Sequence, residues 1–156
     1  MEYKSIFEII GPRMVGPSSS HTAGAVAIGR AAIKIFHEKV DDGHLLGADI
    51  YLYGSFSTTY KGHATDVALV GGLLGLAAHD IKIKDAFALA RDRGIDMQII
   101  PCVDEKAPAD KEMPLGENNP HPNTAKIIMK AENKKIEVVG VSIGGGSFKI
   151  IDVNEY

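Results

Sequence analysis

The chain has 156 residues, of which 45% are apolar and 24% are charged, and its formal net charge is -3 at pH 7. This length suits a single domain with its own core, and the charge balance leaves no basic excess that would favour nucleic acid or an anionic membrane as a partner. Cys102 is the single cysteine, so the chain forms no internal disulfide and no cysteine-ligated metal cluster of its own, which fits a reducing cytoplasm. The N-terminus has no signal-peptide pattern, and the longest apolar stretch, Val67 to Ala78, is too short and too rich in glycine to span a bilayer.

The first concentration of polar residues is a Gly-Pro turn followed by three serines, a histidine and a threonine: Gly16-Pro17-Ser18-Ser19-Ser20-His21-Thr22. Apolar residues then recur at helical spacing, which predicts a helix over 22–39. Any of the three serines can cap this helix, and the first-turn amides together with the helix dipole favour an anion such as a carboxylate. One capping serine beside two solvated turn residues is the simpler interpretation of this stretch taken alone.

A second polar stretch, Ser55 to Asp66, follows a strand predicted over 49–53 and precedes a strongly apolar helix predicted over 67–76. Thr65 or Asp66 is expected to cap that helix. Gly62 permits a tight turn, so that Lys61 and His63 project from a loop. His63 is explained equally well as a turn histidine that hydrogen bonds to a nearby carbonyl group.

The second half of the chain predicts one more helix and four more strands. The helix over 85–93 should end at Gly94, and the strands are expected at 96–103, 125–130, 135–143 and 147–153. The segment 104–122 is long and polar, which is typical of a functional loop or of partly disordered chain. At Gly144-Gly145-Gly146 a hairpin turn or a close backbone approach is favoured over a phosphate-binding loop, because no helix follows.

Together these elements predict an α+β fold in two layers, with helices on one face of a mixed β-sheet. A short segment at 5–10 adds one or two helical turns, and the last three strands form an antiparallel meander. The order of the strands is not determined by the sequence. Because both polar stretches precede helices, the N-termini of the two helices could converge at one edge of the sheet.

Six motifs, in this order, resemble the beta subunit or beta domain of iron-sulfur-dependent bacterial L-serine dehydratases: Ile9-Ile10-Gly11-Pro12, Gly16-Pro17-Ser18-Ser19-Ser20-His21-Thr22-Ala23-Gly24, Gly54-Ser55-Phe56, Lys61-Gly62-His63-Ala64-Thr65-Asp66, His121-Pro122-Asn123-Thr124 and Gly144-Gly145-Gly146. The resemblance covers almost the whole chain and identifies residues 1–156 as a single beta domain. Ala64 departs from it, since the family usually has a second glycine there. The chain also ends at Tyr156, where many beta subunits of the two-chain type continue, so no C-terminal ACT domain is expected.

The resemblance implies a cytoplasmic L-serine ammonia-lyase of serine catabolism and gluconeogenesis, which converts L-serine to pyruvate and ammonia. It also implies an alpha subunit as partner, whose cysteines hold a [4Fe-4S] cluster, so that this chain itself supplies no metal ligand. A cluster iron with an open coordination position can polarise the serine hydroxyl as a Lewis acid. Activity on L-threonine and the formation of a homodimer are left open.

The chemistry of dehydration suggests roles for the polar residues. The base that removes the Cα proton must titrate near neutrality, which suits His63 best and His21 second. The substrate carboxylate is assigned to Ser18, Ser19, Ser20 and Thr22, with Lys61 as a positive charge, and Asn123 is a further substrate-binding residue.

An alternative function comes from a second resemblance. The family's beta domain is similar to the allosteric substrate-binding domain of some 3-phosphoglycerate dehydrogenases. On that basis the chain would be a serine-binding allosteric module with no catalytic duty.

Overall fold

The computed structural model describes residues 19–103, 105 and 123–156, with side chains from Thr22 onward. The helical turns predicted at 5–10 and most of the 104–122 segment lie outside the described residues. The helices are α1 (Ser19–Lys39), α2 (Ser55–Thr59), α3 (Thr65–Leu73) and α4 (Ala86–Asp92), with a 3₁₀ helix at Ile81–Asp85. The strands are β1 (Gly47–Tyr53), β2 (Asp96–Pro101), β3 (Asn123–Lys130), β4 (Lys135–Gly144) and β5 (Ser147–Glu155).

The five strands form one mixed sheet in the order β2-β1-β3-β4-β5. Strands β1 and β2 are parallel, whereas β1–β3, β3–β4 and β4–β5 are antiparallel pairs. The predicted α+β class, the mixed sheet and the meander of the last three strands are therefore confirmed. In the register, Tyr53 lies opposite Thr124, and Asn123 lies opposite Ser142.

The main core lies between the helices and one face of the sheet. Helix α1 crosses β4 and β5 and buries residues spaced three or four apart: Ala25, Ile28, Ala32 and Phe36. Three neighbouring strands present alternate residues to this core: Ile50 and Leu52 in β1, Ile127 and Met129 in β3, and Ile136 and Val138 in β4. Full burial of each of the larger side chains contributes about 1.5–3 kcal/mol, which holds the helical layer on the sheet.

The opposite face of the sheet carries a smaller cluster around Tyr53, Cys102 and Val141. Burial is the main cause that raises the pKa of Tyr53, and burial also raises the pKa of the Cys102 thiol, which forms a side-chain hydrogen bond with Tyr53. A buried thiol with a raised pKa is a poor nucleophile. Cys102 is therefore a structural residue.

Two elements were not predicted from the sequence. The residues that follow β1 form the short helix α2 instead of an irregular connection, and the 3₁₀ helix lies between α3 and α4. Helix α3 ends at Leu73, earlier than position 76, because Gly75 has a φ of 83° and the Leu76 amide turns back to the Gly71 carbonyl. Gly94, with a φ of 70°, follows α4 as expected.

Among the described residues, no helix combines the length and the apolar character needed to cross a bilayer.

Candidate functional site

Helices α1 and α3 are in backbone contact, and this contact positions the polar residues at their N-terminal ends. A Cβ atom on Gly29 of α1 would lie 2.5 Å from the carbonyl oxygen of Leu69 in α3. A Cβ atom on Gly72 of α3 would overlap the carbonyl oxygen of Val26 and lie 3.0 Å from the backbone nitrogen of Arg30. Glycine is the one residue that permits so close an approach of two backbones.

The two helices also run in the same direction. Thr22, in the first turns of α1, contacts the residues just before α3, and Gly29 contacts the middle of α3. Both N-termini therefore lie at the same end of the helix pair. Each N-terminus carries the positive end of a helix dipole, which favours an anion. In α3 the first-turn amides already have acceptors, since those of Thr65 and Ala68 donate to main-chain carbonyls and that of Val67 donates to Asp66.

A hydrogen bond joins the two polar stretches at this end. The Thr22 hydroxyl donates to the main-chain carbonyl oxygen of His63 at a distance of 3.4 Å. Thr22 is fully buried and His63 is half-buried. The distance is long for a hydroxyl donor, so the bond itself is weak. It nevertheless shows that the two polar stretches converge.

His63 lies in a tight turn that follows α2. The His63 amide donates to the Thr59 carbonyl at 3.0 Å, and the Thr65 amide donates to the Tyr60 carbonyl at 2.9 Å. Ala64 is the one non-glycine residue with positive φ in the described part of the chain, with φ 55° and ψ 31°. A left-handed conformation costs a residue with a Cβ roughly 1–2 kcal/mol. The sequence had marked Ala64 as the family's usual glycine position, and this backbone conformation is one that glycine adopts without strain.

The expectation that Thr65 or Asp66 caps α3 is wrong. Both residues lie inside the helix, the N-cap position belongs to Ala64, and no side chain caps the helix there. Asp66 instead accepts a hydrogen bond from the next amide, that of Val67, at 2.8 Å. The Thr65 hydroxyl is buried without a hydrogen-bond partner among the described residues.

Two charged residues flank this turn. Burial raises the pKa of Asp66, while its hydrogen bonds with backbone amides and the positive charge of Lys61 act in the opposite direction. Lys61 is exposed, and its Nζ atom lies 5.9 Å from the centroid of the Tyr60 ring. A carboxylate ligand would meet the favourable field of Lys61 and the unfavourable field of Asp66.

The ends of β3 and β4 lie beneath the first turns of α1. A Cβ atom on Gly24 would overlap the Ser142 side chain, which is buried. Asn123 lies across from Ser142, and its Oδ1 atom is buried without a hydrogen-bond partner in the described part of the chain. Sequence reasoning missed Ser142, because a single serine near a strand end carries no signal of its own.

The turn between β4 and β5 closes the same end of the sheet. Gly144, Gly145 and Gly146 have φ values of 96°, 61° and 80°, and Gly144 pairs with Ser147. A Cβ atom on Gly146 would lie 3.3 Å from that of Ala23 in α1. Of the two predicted alternatives, the hairpin turn is confirmed.

The serine motif is described in part. Ser18 lies outside the described residues, and Ser19, Ser20 and His21 form the start of α1, with their backbone alone described. The helix thus begins three residues before its predicted start, and these residues belong to its first turn instead of preceding it. Their predicted contact with a substrate remains a prediction.

The described residues do not fit an iron-sulfur cluster. They contain no group of three or more His, Cys, Asp or Glu side chains placed to hold a metal ion. Cys102 lies against Tyr53 on the face of the sheet away from α1. Such a cluster takes four cysteine thiolates, and the whole sequence contains one cysteine.

The fold is that of a small α+β domain in which the N-terminal ends of two helices meet at one end of a mixed sheet. The chain belongs to the serine dehydratase beta chain family, whose model matches residues 5–152. It is 44% identical over its full length to the probable L-serine dehydratase beta chain of Bacillus subtilis (strain 168), and 43% identical over 96% of its length to the L-serine dehydratase beta chain of Peptoniphilus asaccharolyticus.

Coverage of these relatives is partial. The chain spans 63% of the Bacillus protein and 60% of the Peptoniphilus protein. It is also 33% identical over 91% of its length to the L-serine dehydratase of Helicobacter pylori (strain ATCC 700392 / 26695), of which it spans 31%. A domain of this kind thus also occurs within a longer chain.

Proposed function

We propose that this chain is the beta subunit of an L-serine dehydratase, which acts with an alpha subunit to convert L-serine to pyruvate and ammonia. The observation that carries the proposal is the contact between the Thr22 hydroxyl and the His63 carbonyl oxygen at 3.4 Å, because it joins the two motifs on which the resemblance most depends. The names of the Bacillus and Peptoniphilus relatives support the same function.

Binding of the substrate carboxylate is assigned to the end where α1 and α3 begin. The first-turn amides of α1 would serve as donors there, and hydroxyl donors at Ser18, Ser19 and Ser20 would add to them. Thr22 was expected to contribute as well. Since its hydroxyl donates to the His63 carbonyl, its contribution to the site is to hold the turn against α1.

Removal of the Cα proton is assigned to an imidazole, with His63 as the first candidate and His21 as the second. His63 is half-buried at the convergence of the two helices, and an imidazole can accept a proton near neutral pH. The turn that carries His63 is fixed by backbone hydrogen bonds at both of its ends. A base held in this way can be kept within reach of a substrate whose carboxylate is bound beside it.

The alpha subunit is proposed to supply the [4Fe-4S] cluster, which as a Lewis acid would assist the departure of the hydroxyl group. The match within the longer Helicobacter chain supports this division of labour, because there the matching region is one part of a larger L-serine dehydratase. A single, buried cysteine fits a cytoplasmic location.

The test is anaerobic co-expression of this chain with the alpha subunit, followed by an assay of pyruvate and a determination of iron. We expect pyruvate formation and a cluster in the pair, and neither from this chain alone. A stoichiometric cluster in the isolated chain would contradict the division between subunits. No pyruvate from an iron-loaded pair would refute the proposed activity and leave the allosteric serine-binding module as the function to examine.

A further inference from the structure

The side chain of Asn123 presents an unexplained hydrogen-bond acceptor. Its Oδ1 atom is buried, and no hydrogen-bond donor reaches it in the described part of the chain. A buried acceptor without a donor lowers stability, and such groups in folded proteins require a specific explanation. A ligand that brings its own donor is one such explanation.

The sheet places Asn123 beneath the candidate site. Asn123 shares its face of β3 with Ala125 and Ile127, which are buried in the core under the helices. On one side it lies opposite Ser142, which contacts Gly24 in the first turns of α1. On its other side β1 ends at Tyr53, and the chain continues from there towards the His63 turn.

Neighbouring strands lie about 4.8 Å apart, so Asn123 at the end of the middle strand lies between two features of the site. The first turns of α1 lie above β4 on one side, and the turn that carries His63 extends beyond β1 on the other. The hydrogen bond from Thr22 to His63 joins these two features. The register therefore places Asn123 at the same end of the sheet as their junction.

The chemistry of an amino acid identifies the donor that this position lacks. The N-terminus of α1 would offer N–H donors, which suit a carboxylate, whereas an ammonium group requires acceptors. The His63 carbonyl accepts from Thr22, and Asp66 Oδ1 accepts from the Val67 amide. The Asn123 oxygen has no such donor.

We propose that Asn123 Oδ1 accepts a hydrogen bond from the α-ammonium group of the substrate, so that the site selects an amino acid over a carboxylic acid that lacks this group. The inference rests on the proposed function for the identity of the substrate, and it adds the substrate atom that this residue recognises. Asn123 is then a specificity-determining residue, and the first turn of α1 recognises the carboxylate.

The test compares two ligands on the reconstituted complex under anaerobic conditions. L-Serine carries the ammonium group and is consumed by turnover, so it is followed by its KM for pyruvate formation. The second ligand, 3-hydroxypropanoate, keeps the carboxylate and the hydroxyl without the ammonium group and is followed by titration calorimetry. In Asn123→Leu we expect the KM of L-serine to rise about ten- to a hundredfold, as for a lost hydrogen bond to a charged group, while the Kd of 3-hydroxypropanoate changes by less than about twofold.

Two further variants keep the test decisive. Asn123→Asp retains an acceptor, so it should bind L-serine at least as tightly as the wild type and bind 3-hydroxypropanoate more weakly. Asn154→Leu is the matched control, because Asn154 lies on β5 and hydrogen bonds to Glu137 and Asp152, away from the site. It should leave both affinities unchanged.

Equal weakening of the two ligands by Asn123→Leu, an unchanged affinity for L-serine, or weaker L-serine binding by Asn123→Asp would each overturn the proposal. Loss of L-serine affinity in Asp66→Asn, with Asn123→Leu unaffected, would assign the ammonium group to Asp66 instead. A wild-type complex that binds L-serine but makes no pyruvate refutes the proposed activity alone. One that binds neither ligand refutes both.

Discussion

Replacement of Gly72 by alanine tests whether the contact between α1 and α3 positions the site. The added methyl group would overlap the Val26 carbonyl oxygen and lie 3.0 Å from the Arg30 nitrogen, and backbone atoms cannot rotate away. Overpacking costs about 1–3 kcal/mol, and contact with backbone places the cost near the upper end, about 3 kcal/mol. Alanine regains about 1 kcal/mol of helix propensity. The free energy of unfolding should therefore fall by about 2 kcal/mol.

For a chain of this size, that loss lowers the thermal midpoint by about 4–8 °C, which circular dichroism can measure. Gly71→Ala is the matched control, since it lies in the same helix and its Cβ atom would meet the Ile83 side chain at 3.1 Å, which can shift. Its midpoint should stay within about 2 °C of the wild type. A midpoint for Gly72→Ala equal to or above that of Gly71→Ala would refute the reasoning.

Three other predictions concern the turn, its strain and the surface charges. In the reconstituted pair, His63→Ala should lower kcat by roughly two to four orders of magnitude while serine still binds, and an unchanged kcat at saturation would remove His63 as the base. Ala64→Gly should raise the free energy of unfolding by about 0.5–1 kcal/mol in urea titrations, because relief of the left-handed strain exceeds the entropy that glycine adds to the unfolded chain. A loss of stability would contradict the left-handed conformation of Ala64. Hydrogen bonds from Lys39 and then Lys134 lower the pKa of Glu155 to about 2. Because its pKa is lowered in the folded state, the ionised Glu155 carboxylate stabilises the fold at pH values above its unfolded pKa near 4.5. This small, salt-screened stabilisation is lost as the pH falls towards 2. Glu155→Gln should therefore differ from the wild type at pH 7 and match it near pH 2, and a difference that persists at pH 2 would refute the assignment.

Patterns of local periodicity predicted most of the elements. The apolar spacing in α1, the alternation in β3 and β4 and the glycine after α4 each depend on residues close together in the chain, and the observed ends differ from the predictions by no more than three residues. The sheet order could not be predicted, because it depends on pairings between distant segments. The likeness to a 3-phosphoglycerate dehydrogenase domain stays a prediction.

The candidate site was predicted in its residue types and not in its geometry. The sequence allowed the two polar stretches to converge, since each precedes a helix, and the structure joins them at Thr22 and His63. What the sequence could not show is why they meet: Gly29 and Gly72 are ordinary small residues in the sequence, and their role depends on the approach of two backbones. The left-handed conformation of Ala64 was not predicted, because a residue with a Cβ atom rarely adopts a positive φ.

The mixed sheet has a consequence for the order in which the chain folds. Strands β3, β4 and β5 pair across short turns, so this meander can form early from local contacts, whereas Tyr53 reaches Thr124 across about 70 residues of intervening chain. The site draws Asn123 and Ser142 from the meander, and Thr22 and His63 from the helical half. It therefore comes together only when the helical half joins the meander, through contacts as distant in the sequence as that of Gly24 with Ser142. Hydrogen-exchange labelling during refolding should show protection of β4 before protection of β1, with serine binding recovered together with β1.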